Sequence, residues 1–73
     1  MSGVVAESSP VRTLRKAAGL TQAQLGAQVG VSRQTIVAVE KGDYAPSVYL
    51  ALRIARELAT TVEQLFPLEE EQP

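Results

Sequence analysis

The chain has 73 residues, enough for one small domain, and its lack of cysteine and histidine excludes disulfides and leaves only carboxylates as plausible metal ligands. The net charge of −1 hides an uneven distribution, because seven basic and four acidic residues lie between residues 9 and 66 while three glutamates lie near the C-terminus. No apolar run approaches the roughly 20 residues of a membrane helix and no signal peptide is evident, so we expect a cytoplasmic protein with no membrane association, cofactor or bound metal.

Helical patterns begin after a short N-terminal segment. Residues 1–8 have neither helical nor strand periodicity, which predicts a flexible arm. The first helix is predicted from Pro10 to Ala18, because Ser9 is a favourable N-cap and proline suits the first helical position. Gly19 is the expected stop. The predicted inner face of this helix consists of three residues at helical spacing: Val11, Leu14 and Ala18.

Two further short helices follow with only a few residues between them. The second is predicted from Gln22 to Val29, with Thr21 and Gln24 forming a capping box and Gly30 ending the helix. The third is predicted from Arg33 to Lys41, between a serine cap and a terminal glycine. The caps and stops are local signals, so the sequence predicts these two helices independently of their packing.

The last two helices are predicted to close a small bundle. The fourth begins near Ser47 and continues to about Ala59, and the fifth is a short helix capped by Thr61 and ended by Pro67. Residues 67–73 contain the glutamate run and predict a disordered acidic tail. The expected fold is therefore all-α, a compact five-helix domain over residues 9–66. The apolar residues assigned to its inner surface in the last two helices are Leu50, Ala51, Ile54, Ala55, Leu58, Val62, Leu65 and Phe66.

The second and third helices have the spacing of a helix-turn-helix unit. With Gln22 as its first position, Gly26 supplies the small fifth residue where two helices cross closely, and Gly30 supplies the glycine that the turn requires at the ninth. The apolar positions of such a unit are filled by Leu25, Val29, Val31, Ile36 and Val39. The second helix of this unit enters the DNA major groove, so the spacing indicates a DNA-binding protein.

The solvent face of the third helix carries side chains suited to reading bases. Arg33 makes bidentate contacts with guanine and Gln34 with adenine, and both lie in the first turn. Without the surrounding unit, two such residues would be interpreted as an ordinary solvated helix face. Val37 and Ala38 could contact thymine methyl groups or nothing. Ser32 and Thr35 lie near the start of the same helix.

The segment from Val11 to Phe66 resembles the Cro/C1-type (XRE-family) helix-turn-helix regulators, in the minimal single-domain form found in bacteria and their phages. The runs GLTQ, VGVSRQTI and EKGDYAPS carry the resemblance, which covers about four-fifths of the chain. It implies the lambda-repressor-like five-helix bundle and a cytosolic or nucleoid location. Gly26 departs from the alanine that is usual in the family, at a cost to the helix of up to about 1 kcal/mol.

The resemblance also implies residue roles. Gln22 would contact a backbone phosphate and brace Gln34, and Arg15 would pair with Glu40 to fix the third helix against the bundle. The end of the fifth helix, at Leu65 and Phe66, would either close the core or share in a dimer contact. Base-reading residues would be Ser32, Arg33, Gln34, Val37 and Ala38, and residues near phosphates would be Thr21, Gln22, Thr35, Lys41, Gly42 and Tyr44.

The function expected from these features is sequence-specific regulation of transcription by a repressor, with its own gene as one candidate target. The partners are double-stranded DNA, bound at a palindrome, and a second copy of the chain, with no small-molecule effector. Two alternatives share the fold: an antitoxin, disfavoured because few residues are spare for a toxin, and a restriction-modification controller protein. An enzyme is not expected, since the chain has no nucleophile–base pair and no domain of the size that encloses a pocket.

Overall fold

The computed structural model describes residues 9–68. Within this range the chain forms five helices and no strand, which confirms the all-α prediction. The helices are α1 (Pro10–Ala17), α2 (Gln22–Val29), α3 (Arg33–Lys41), α4 (Val48–Glu57) and α5 (Val62–Leu65). The predicted arm (residues 1–8) and most of the predicted acidic tail (residues 69–73) lie outside the described residues.

Side-chain caps determine where the helices begin. The hydroxyl oxygens of Thr21 and Ser32 accept the backbone N–H of the residue three positions on, at 3.0 and 3.2 Å. At α2 the box is reciprocal, since the Thr21 N–H donates to the Gln24 side chain at 2.8 Å. The observed bounds of α2 and α3 therefore match the bounds that their caps and terminal glycines predict.

The fourth helix is shorter than predicted. It begins at Val48 with Ser47 as its cap, and it ends at Glu57 instead of continuing to Ala59. The reason is that Ala59 adopts the left-handed backbone conformation, with φ 57°, and the N–H of Thr60 closes the end on the carbonyl of Ala55 at 2.9 Å. Glycine usually occupies such a position, so no sequence signal indicates the stop.

Close approach of two backbones defines the turn between α2 and α3. Gly30 ends α2 with φ 84°, and the N–H of Val31 donates to the carbonyl of Gly26 at 2.9 Å. A Cβ built on Gly26 would lie 2.8 Å from the Val31 carbonyl oxygen and 3.2 Å from that of Ser32. The glycine therefore allows the start of α3 to pack more tightly on α2 than a side chain would permit.

The core lies where the inner faces of the helices meet. Its largest fully buried side chains are Leu25, Ile36, Ile54, Leu65 and Val11. Ala18, predicted on the inner face of α1, is exposed because α1 ends one residue earlier and Ala18 is its C-cap. Arg15 is the buried residue in that last turn. The inner face of α1 therefore contains a charged residue that apolar periodicity did not indicate.

The end of α5 contributes to the core. Leu65 is only 2% exposed and lies in the hydrophobic core, as the first of its two expected roles requires, while a share in a dimer contact stays a prediction. Phe66 is half-buried and packs against the same core. Within the single chain, these two residues close the bundle rather than forming an open apolar surface.

Candidate nucleic-acid interface

The first turn of α3 presents polar side chains to solvent. Ser32, Arg33 and Gln34 are exposed, whereas Val37 and Ala38, one turn further along, are half-buried. The Ser32 hydroxyl accepts the N–H of Thr35, and the hydroxyl oxygens of these two residues lie 3.2 Å apart. This network keeps the Ser32 and Thr35 side chains close to the backbone. The two longest polar side chains of the turn are therefore the ones that reach furthest outward.

The last turn of α3 is anchored by a buried ion pair. Arg15 Nε lies 2.6 Å from Glu40 Oε2, and Arg15 Nη2 donates to Glu40 Oε1 at 3.2 Å. The remaining terminal nitrogen of Arg15 donates to the carbonyl of Leu20 at 2.8 Å. Glu40 is 7% exposed, so the pair is largely shielded from water. The structure places the two predicted partners in a bidentate contact between α1 and α3.

A third residue joins this pair. The side-chain amide Nε2 of Gln22 donates to Glu40 Oε1 at 3.1 Å. The family-based expectation was that Gln22 braces Gln34, whereas its amide nitrogen here bonds to Glu40. The Glu40 carboxylate thus connects three helices, because Arg15 lies on α1 and Gln22 begins α2. Sequence spacing did not indicate this contact, because it depends on how the three helices meet.

A positively charged depression lies beside the start of α2. Its lining includes Arg12 and Lys16 from α1, Arg33 from α3, and Thr21 and Gln22. The first backbone N–H groups of a helix have no partners within the helix, and they favour an anion near the helix N-terminus. Arg12 and Lys16 are four residues apart along α1, and this spacing places both on one face of the helix.

The loop after α3 provides a second exposed polar region. Lys41, Gly42 and Tyr44 are all exposed, and Gly42 reverses the chain with φ 83°. Lys41 Nζ lies 3.7 Å from Asp43 Oδ2, a long contact between two exposed side chains that contributes little stability. The depression and the first turn of α3 are thus both exposed and basic, whereas at the end of α3 the charge of Lys41 lies beside that of Asp43.

Two helices that meet at a Gly30-centred turn, the second of which exposes a polar first turn, define a helix-turn-helix DNA-binding protein. The helix-turn-helix family model HTH_3 matches residues 11–65. The chain therefore belongs to this family, which confirms the resemblance to Cro/C1-type regulators.

Related proteins from distant organisms support the assignment. The chain is 51% identical over 61 residues to the uncharacterised HTH-type transcriptional regulator YgzD of Bacillus subtilis (strain 168), a match that covers 84% of this chain and 92% of that protein. It is 53% identical over 62 residues to an uncharacterised HTH-type transcriptional regulator of Methanothermobacter thermautotrophicus, covering 84% and 90% of the two chains.

A solved structure has the same architecture. The restriction-modification controller protein C.AhdI from Aeromonas hydrophila superposes with a TM-score of 0.73 at 33% identity, over 80% of this chain and 88% of that one. This similarity confirms the compact helix-turn-helix bundle. Between residues 9 and 68, no helix is long and apolar enough to span a membrane.

Proposed function

We propose that this DNA-binding regulator is a cytoplasmic repressor that binds a palindromic operator as two subunits, with α3 of each subunit in a major groove. The exposure of Arg33 and Gln34 in the first turn of α3 carries the proposal. In this position arginine suits guanine and glutamine suits adenine. The full base-reading set would be Ser32, Arg33, Gln34, Val37 and Ala38.

The phosphate contacts proposed around this helix come from two regions. The first is the start of α2, where the depression lined by Arg12 and Lys16 adds positive charge. The second is the end of α3 with the loop that follows it. The proposed phosphate-contacting residues are Thr21, Gln22, Thr35, Lys41, Gly42 and Tyr44. Such contacts would fix the register of α3 without reading sequence, and they would make binding strongly dependent on salt.

The requirement for two subunits follows from the size of the contact. One recognition helix covers only a few base pairs, too few to specify a site in a genome. Two copies bound to one side of the duplex would double the sequence read, with half-sites about 34 Å apart, one helical turn. Cooperative binding would then depend on the spacing between half-sites.

Selection of bound sequences from a pool of random duplexes, followed by sedimentation on the selected duplex, tests the proposal. We expect an inverted repeat and two subunits per duplex, with affinity lost when half a helical turn is inserted between the half-sites. Selection of an asymmetric site, or one subunit per duplex, would contradict the palindromic operator but not the DNA-binding assignment. Reporter transcription with the selected site at a promoter separates repression from activation.

A controller role in a restriction-modification system is a second candidate. The observation that favours it is the similarity to C.AhdI over most of both chains. The two candidates use the same DNA-binding surface and differ in the genes they regulate. Measuring transcription of the genes adjacent to this one, with and without the protein, distinguishes them.

A further inference from the structure

The outer face of α4 exposes three large apolar side chains. Val48 is 77% exposed, Tyr49 is 69% exposed and Leu52 is 54% exposed. The helix already buries its opposite face in the core, through Leu50, Ala51, Ile54 and Ala55. Since Val48 and Leu52 are one turn apart and Tyr49 lies beside them, the three side chains form one continuous surface, called here the α4 surface.

Balanced charges border the α4 surface. A groove runs along it between the end of α2 and the start of α5, and its charged lining residues are Arg53, Arg56, Glu57 and Glu63. The two positive and two negative charges cancel, whereas a DNA-binding or anionic lipid surface requires an excess of positive charge. An apolar patch with a charge-neutral border is suited to a protein partner.

The order of residues along α4 makes the surface self-complementary. Leu52 lies about one turn after Val48 and Tyr49 and about one turn before Arg56. When two α4 helices pair antiparallel with Leu52 on a two-fold axis, Arg56 of each subunit lies over Tyr49 of the other. Arg53 already lies 5.7 Å from the centroid of the Tyr49 ring within one chain, so this ring accommodates a guanidinium group.

We infer that the α4 surface is the contact between two copies of this chain, centred on Leu52. The inference rests on the proposed two-subunit function and identifies the surface that the two subunits share. It replaces the end of α5 as the main contact, because Leu65 is buried in the core of its own subunit. A two-fold axis makes the same patch serve both partners, and the balanced charges allow this without repulsion between the copies.

Two substitutions that introduce opposite charges at position 52 test the inference. Leu52→Lys and Leu52→Glu each place like charges against one another at the axis, so each variant alone should dimerise at least tenfold more weakly than wild type in sedimentation equilibrium. An equimolar mixture of the two variants should restore dimers, because lysine then meets glutamate. Leu68→Lys is the matched control, since Leu68 is 92% exposed and lies outside the helices, and it should dimerise like wild type.

The measurements extend to about 1 mM protein, since a small interface supports only a weak dimer. Circular dichroism verifies that each variant is folded, as expected for an exposed position. A wild-type chain that is monomeric throughout this range, Leu52 variants that dimerise like wild type, or a mixture that forms no heterodimer would overturn the inference. If two subunits nevertheless occupy the selected duplex, only the surface assignment fails; one wild-type subunit per duplex contradicts the proposed function itself.

Discussion

The two ends of α3 have opposite environments. At the amino end, Arg33 and Gln34 are exposed. At the carboxyl end, Glu40 is buried and receives hydrogen bonds from Arg15 and Gln22. The proposed base contacts and the observed attachment to the bundle thus lie in different turns of one nine-residue helix. Substitutions at the amino end should change which DNA sequence the helix binds. Substitutions at the carboxyl end should change how stably α3 packs against α1 and α2.

The anchoring end is stabilised by tertiary contacts, against the local preference of the helix. A negative side chain in the last turn of a helix interacts unfavourably with the helix dipole, by about 0.3–1 kcal/mol at an exposed site. Burial adds a desolvation cost to the Glu40 carboxylate. The bidentate contact with Arg15 offsets both terms, so Glu40 depends on its partner far more than an exposed carboxylate would.

The largest effect is expected at the anchor. Arg15→Ala should lower the free energy of unfolding by about 3–5 kcal/mol, because it leaves the Glu40 carboxylate buried without its counter-ion. Urea unfolding measures this change. Lys16→Ala is the matched control: Lys16 is the next residue of the same helix and is exposed, so its change should stay within about 0.5 kcal/mol. Equal losses in the two variants would show that the ion pair does not anchor α3.

The next effect concerns the reading end. Arg33→Ala and Gln34→Ala should each weaken binding to the selected duplex by about 1–3 kcal/mol and leave binding to random DNA nearly unchanged. Their unfolding free energies should differ little from wild type, because both side chains are exposed. Fluorescence anisotropy titrations on the two duplexes provide the comparison. Parallel losses on both DNAs would mean that these side chains contact phosphates instead of bases.

A smaller effect is expected at the contact between α2 and α3. Gly26→Ala adds a Cβ that meets the Val31 carbonyl oxygen at 2.8 Å, so the turn must shift although alanine is the better helix former by about 1 kcal/mol. We expect the midpoint of thermal unfolding to fall. Ala23→Gly, at an exposed position of the same helix, measures the propensity difference alone. A Gly26→Ala variant that melts higher than wild type would show that the turn relaxes at little cost.

The smallest effect is expected for the acidic C-terminal residues. Deleting residues 69–73 removes three glutamates and should strengthen binding to random DNA at low salt, while the melting temperature stays unchanged. Replacing Glu69, Glu70 and Glu71 with glutamine should reproduce the gain, since it removes the charge and keeps the length. Identical random-DNA affinities for wild type and both variants would show that the three glutamates do not weaken DNA binding.

Local signals predicted the helix-turn-helix unit well. Thr21, Gln24 and Gly30 determine the bounds of α2 through contacts within a few residues, and such contacts can be identified in the sequence. The end of α4 was missed because Ala59 adopts a conformation that its residue type does not indicate. The bond from Gln22 to Glu40 spans 18 positions and depends on the packing of three helices, so no periodicity could predict it.

The burial of apolar side chains could likewise be predicted from the sequence only in part. The α4 sequence places apolar residues on both sides of the helix, so periodicity identified the inner stripe but gave no reason to single out Val48, Tyr49 and Leu52. Conversely, the sequence did not determine how deeply Leu65 is buried, which depends on the packing of α5 against the core. Burial is a property of the assembled helices, and the outer α4 surface became evident only once the core was defined.

The modest size of the α4 surface has a consequence for how a promoter responds to the amount of regulator in the cell. Three apolar side chains per subunit fall short of the roughly 800 Å² per partner of a stable interface, so with the proposed contact most free chains would be monomers at low abundance. On the proposed operator two free chains would then have to assemble, and occupancy would rise with about the square of the free concentration. The promoter would therefore change state over a narrower range of protein abundance than a pre-formed dimer would allow.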